Sequence, residues 1–195
     1  MKIGIFGGAF DPVHYGHLLL AEQCFEQCGL DSIWFIPTNI SPHKSSSQTS
    51  GADRVRMLES ATADIPHFHI SRVELDREGI SWTVDTLRQI RDTNPDEQLF
   101  LLIGADSVRD LPTWKEPETI AELATIVAVN RGLNDGMTAP DPDVSTSNPV
   151  QSVTMPGIAF SSTDIRQRVR AGQSIRFLVP PAVEEFIHRQ RLYRS

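Results

Sequence analysis

Short apolar runs at residues 3–6, 33–36, 68–71, 99–103 and 126–129 punctuate this chain of 195 residues. Most are apolar at consecutive positions, the pattern of strands buried on both faces. Between them, residues 18–28, 52–63, 83–91 and 117–123 carry helical patterning. Strand and helix therefore alternate, which predicts βαβ units and an α/β fold: a doubly wound, mostly parallel sheet. Ligands of such sheets bind beyond the carboxyl ends of the strands. The residues that follow the runs, from Gly7, Pro37, Gly104 and Asn130 onward, are thus the places to look for chemistry. Residues 44–51 and 132–149, rich in Ser, Pro, Asp or Asn and without a period, read as surface loops. Residues 1–195 are expected to form one domain with a C-terminal helical segment from about 161.

Composition narrows the classes. Hydrophobic content is 39%, and no stretch approaches the ~20 apolar residues of a membrane span. The chain enters a strand pattern at once, without a basic, apolar, cleavable leader, so a cytoplasmic protein is expected. Cys24 and Cys28 share a helix face without a second pair, and read as free thiols rather than metal ligands. Net charge is −7, but residues 160–195 hold seven Arg against three acids, leaving +4 there and −11 elsewhere. In a patterned segment of an acidic protein, that asymmetry favours a local phosphate-binding patch over a nucleic-acid arm.

Five segments could carry chemistry. Gly7-Gly8-Ala9-Phe10-Asp11-Pro12-Val13-His14-Tyr15-Gly16-His17 leads from a strand into a helix, where backbone N–H groups and the positive dipole end suit an anion. His14 and His17 add donors at that point. Lys44, one of three lysines against fifteen arginines, ends a proline-stiffened loop and could meet a triphosphate or simply be solvated. Ser81 and Thr83 could cap a helix or bind a ligand. Asp106 could take ribose hydroxyls or cap a helix, and Trp114 could stack on a cationic ring or fill the core. Ser161, Ser162 and Thr163 form a helix start with exposed N–H groups, and Arg166 follows one turn later. No set of His, Cys and carboxylates has the spacing of a zinc site: His67 and His69 alternate on a strand and His188 is isolated. No protein-held metal is expected.

The first segment resembles the signature of the HxGH nucleotidylyltransferases, and the rest of the chain resembles their bacterial nicotinate mononucleotide adenylyltransferase branch. The matching motifs are Pro42-His43-Lys44, Ser81-Trp82-Thr83 with Trp for Tyr, Gly104-Ala105-Asp106, Leu111 to Trp114, and Phe160-Ser161-Ser162-Thr163 through Arg166. Arg131 is followed by Gly132 where Pro is usual. The resemblance implies transfer of the adenylyl group of ATP to nicotinate mononucleotide. His14, His17, Lys44 and Arg166 would serve the phosphates. Gly7, Gly8, Phe10, Gly104, Arg131, Ser161, Ser162 and Thr163 would bind substrate. Asp106 would meet the ribose, and Thr83, Trp114 and the backbone of Lys115 the nicotinate end. Mg²⁺ would ride on the ATP phosphates. The expected partners are ATP and the mononucleotide, with no nucleic acid and no membrane, and with a homo-oligomer allowed. A phosphopantetheine adenylyltransferase is the near alternative, and a non-catalytic nucleotide sensor the distant one.

Overall fold

Parallel pairing joins every strand of the sheet in the computed structural model, which describes residues 1–41, 48–130 and 150–194, with the side chain of Asp106 left aside. The strands are β1 (Lys2–Gly8), β2 (Ser32–Pro37), β3 (Phe68–Ile70), β4 (Gln98–Gly104), β5 (Thr125–Asn130) and β6 (Gln151–Thr154). Their order is β3-β2-β1-β4-β5-β6, so the winding reverses between β1 and β4. A crevice forms at such a reversal, beyond the strands' carboxyl ends. There the glycines Gly7, Gly8 and Gly104 end their strands.

Alternate residues of each central strand feed two cores. On one face Phe6, Ile33, Phe35, Leu102 and Val127 pack with α1 (Tyr15–Cys28), α2 (Gly51–Thr62), α6 (Ser162–Arg170) and α7 (Pro181–Arg189). On the other, Ile3, Ile5, Ile36, Leu101 and Ile126 pack with α3 (Thr83–Thr93), α4 (Ala105–Asp110) and α5 (Pro117–Leu123). Burial on both sides is why the runs read as continuously apolar. Cys24 and Cys28 are buried and free, and burial pushes the Cys24 thiol up to about 12, so it stays protonated and inert.

Three expectations change. Helix α1 begins at Tyr15 rather than at residue 18, because His14 takes the N-cap position and the polar start hides the apolar period. Strand β6 has no counterpart in the apolar pattern: only Val153 of Gln151–Thr154 is buried, as suits a short edge strand. His67 precedes β3 instead of sharing its face with His69; it stacks on Phe25 with ring centroids 3.8 Å apart and meets Glu22 at 3.0 Å.

Candidate active site

The turn after β1 is built by close approach. A Cβ on Gly16 would come within 3.0 Å of the His14 ring, so glycine there lets the imidazole lie against the helix start. A Cβ on Gly7 would meet nothing within 4 Å, which leaves its backbone open to the crevice. The rings of His14 and His17 stack, centroids 3.7 Å apart and planes 23° off parallel, and the His14 N–H donates to His17 Nδ1 at 3.3 Å. Phe10, buried and in the left-handed region at φ +48°, backs His17 edge-on at 5.1 Å. Two imidazoles thus sit over the first turn of α1, where N–H groups lack helical acceptors and no acidic side chain offsets the dipole.

Helix α6 brings a second N-terminus to the same place. Ser161 caps it, accepting the Asp164 N–H at 3.0 Å, as the hydroxyl run predicted. Ser162 Oγ donates to the Pro12 carbonyl at 2.9 Å and Arg166 Nη1 to the Asp11 carbonyl at 2.7 Å, so α6 is fastened to the histidine turn. Arg166 Nη2 rests on Thr163 Oγ1 at 3.2 Å, while Nε is buried without a partner. From α2, Arg54 Nη1 donates to the Ala9 carbonyl at 2.8 Å. Burial lowers the pKa of Arg54, and Asp11 chief among its neighbours opposes the shift.

Across the crevice, α3 starts with Trp82 at the N-cap and Thr83 as its first residue, and no side chain caps it. Ser81 is not the cap; its Oγ accepts the Asn39 N–H at 3.3 Å and ties the segment after β2 to this wall. Trp114 follows the short 3-10 turn Leu111–Thr113. Lys115 Nζ is committed to Asp85 at 3.0 Å and lies 5.8 Å from the Trp82 ring centre, which leaves the Lys115 backbone to serve a ligand. Asp106 is the second residue of α4, whose N-cap is Gly104, so it is not that helix's cap.

Every one of these predicted residues whose side chain or backbone is described borders one cleft of about 1040 Å³, Asp106 apart. Gly7, Gly8, Phe10, His14, His17 and Gly104 line it around the ends of β1 and β4, Thr83, Trp114 and Lys115 from the α3 side of the sheet, and Ser161, Ser162, Thr163 and Arg166 from the α6 side. Lys44 and Arg131 lie outside the described residues. Among the described residues no group of three or more His, Cys, Asp or Glu converges as a metal cage.

Two buried charges escaped the reading of the chain. Arg54 sits in a charged helical stretch that reads as solvated, yet it is only 2% exposed. Glu74 lies in a polar run but lines the cleft, accepting from Thr86 Oγ1 at 2.9 Å. Neither had a signal, because burial here comes from tertiary packing over polar sequence. Burial raises the pKa of Glu74, with Thr86 and Ser81 hydroxyls pulling the other way. An acid raised above its unfolded value of about 4.3 contributes full stability below that value and loses it as pH rises through the folded one. Melting temperatures of wild type and Glu74→Gln from acid to neutral pH test this: wild type should lose ground to the variant as pH rises. The opposite slope would show a stabilised carboxylate.

Similarity to known proteins agrees with this geometry. Residues 5–168 match the cytidylyltransferase-like family. A relative from Geobacillus thermodenitrificans, named "Probable nicotinate-nucleotide adenylyltransferase", is 47% identical over 98% of this chain and 86% of its own. One of the same name from Thermus thermophilus is 45% identical with both chains covered in full. In fold, the chain superimposes on the Plasmodium falciparum nicotinic acid mononucleotide adenylyltransferase complexed with NaAD, with a TM-score of 0.82, 19% identity and 98% and 97% of the two chains covered. With such identity sustained from end to end, the chain belongs to the nicotinate-nucleotide adenylyltransferase family, within the cytidylyltransferase-like proteins.

Proposed function

We infer that this protein transfers the adenylyl group of ATP to nicotinate mononucleotide, releasing pyrophosphate and forming the deamido dinucleotide of NAD biosynthesis. The observation that carries this reading beyond kinship is the convergence of two helix N-termini, the stacked His14–His17 pair and Arg166 on one cleft. Such an arrangement concentrates donors and positive potential where phosphates gather. The mononucleotide's 5′-phosphate oxygen attacks the α-phosphorus of ATP in line. A P–O bond forms there as the bond from that phosphorus to the bridging oxygen breaks, and pyrophosphate carries away the electron pair. A phosphate monoester is already an anionic nucleophile, so the chain need not supply a strong base. Its part is positioning and charge neutralisation. His14 and His17 serve the reacting phosphates, and Arg166 and Lys44 the ATP oxygens. Gly7, Gly8 and Gly104 let backbone approach the nucleotide, and Thr83 and Trp114 receive the pyridine end.

Mg²⁺ is assigned to the ATP phosphates, where it offsets their charge. The side chains His14, His17 and Arg166 that border the cleft suit phosphate oxygens, and the ion would enter on the substrate, as is usual for Mg²⁺. Activity should require added Mg²⁺ and should resist a zinc-selective chelator. Activity lost to that chelator and restored by zinc alone would show that the histidines hold a metal. The function itself is tested by mixing the protein with ATP and nicotinate mononucleotide: pyrophosphate and the dinucleotide should appear together. ATP binding without turnover would leave a nucleotide sensor, and turnover with phosphopantetheine instead would move the chain to another branch.

A further inference from the structure

Tyr193, beyond α7, is buried at 6% exposure although its φ is +62°. A non-glycine residue stays in that left-handed region only where its surroundings over-determine it. The surroundings are plain: its hydroxyl donates to Asp11 Oδ1 at 2.6 Å. Asp11 stands inside the histidine turn and is itself only 2% exposed. The same Oδ1 accepts Thr49 Oγ1 at 2.6 Å, and Oδ2 accepts the Gln48 N–H at 2.7 Å. The Asp11 carbonyl holds Arg166. One buried carboxylate therefore fastens the histidine turn to the segment that leads into α2 and to the end of the fold, and its own backbone orients the arginine of α6.

We propose that Tyr193 is a positioning residue for adenylyl transfer, acting through Asp11 to hold the histidine turn and Arg166 in place for the triphosphate. The proposal rests on the function inferred above. A hydrogen bond to a buried carboxylate is charge-assisted and strong. Remove the donor, and the Asp11 carboxylate has one fewer partner; among the described residues Arg54 lies within its electrostatic reach and Arg166 is held at its carbonyl. A carboxylate that turns toward either one shifts the backbone that carries Phe10 to His14. The ring of Tyr193 has a separate job, packing in the core with Val183, Phe186 and Ile187.

Tyr193→Phe separates the two, since it keeps the ring and deletes only the donor. Steady-state constants are measured well below the melting temperature, with ATP affinity measured separately by calorimetry in the absence of mononucleotide. We expect kcat/KM for ATP to fall about tenfold and KM for the mononucleotide to change by less than about twofold. Asp11→Asn should fall at least as far, and adding Tyr193→Phe to it should cost little more, because both act on one contact. A hydroxyl that merely stabilises the fold would lower the melting temperature and leave these constants alone. Constants and ATP affinity within about twofold of wild type in Tyr193→Phe overturn the proposal, whatever the melting temperature does. Wild-type protein that binds ATP but forms no pyrophosphate overturns the inferred function instead, and a loss of ATP affinity in Tyr193→Phe would still support the positioning role.

Discussion

Replacing His17 by alanine should lower kcat by at least about 100-fold, the usual cost of deleting one preorganised donor that meets developing charge. The ring lies in the first turn of α1 and borders the cleft. It is fixed from two sides, by the stack on His14 and by the edge of Phe10. That fixation would make the donor effective, because no reorganisation would be needed as pyrophosphate departs. The structural cost should be small by comparison. His17 Nδ1 accepts one long bond from the His14 N–H, and losing a cap of that kind costs about 1 kcal/mol. The Phe6, Phe10 and Phe35 cluster beneath it remains intact. The variant should therefore fold, bind ATP and turn over slowly. Near-normal turnover in a folded His17→Ala protein would remove the ring from the chemistry.

The parts of this site that could be read along the chain are those whose chemistry is local. A glycine turn with two histidines, and a hydroxyl run followed by arginine, each build a helix start with donors beside it within about ten residues, so each left a motif. The buried strands did the same through their apolar runs. What escaped depends on contacts between distant segments. Asp11 is visible as part of a motif, but its partners Gln48, Thr49 and Tyr193 are 37, 38 and 182 residues away. Arg54 reaches Ala9 across 45 residues, from a helix whose charges look solvated. Even the start of α1 was obscured, since a histidine at the N-cap has no strong propensity signal. Ser81 shows the reverse error: a serine two residues before a helix looks like a cap, yet its hydroxyl serves Asn39 instead.

The protein should use nicotinate mononucleotide in preference to its amide counterpart by roughly tenfold to a hundredfold in kcat/KM. Trp114, which borders the cleft and packs against the core, would stack on either pyridine ring, so stacking cannot discriminate. The choice falls to the ring substituent, a carboxylate in one substrate and a neutral amide in the other. On the α3 side of the cleft that helix begins with no side-chain cap, so its first-turn N–H groups and dipole would favour an anion. Asp85 in that first turn would oppose an anion, but Lys115 at 3.0 Å offsets its charge, while Arg88, 3.6 Å away, is bonded chiefly to Glu116. Glu74 lines the same wall, and burial weakens its ionised form. A carboxylate would then make charge-assisted bonds to the N–H groups of Thr83 and Lys115. An amide would set its own NH₂ against those donors, at about 1–3 kcal/mol for a buried mismatch. That energy corresponds to roughly tenfold to a hundredfold in relative efficiency. Steady-state assays with ATP and each mononucleotide in turn make the comparison. Equal efficiency, or a preference for the amide, would refute this account of the α3 wall while leaving adenylyl transfer in place.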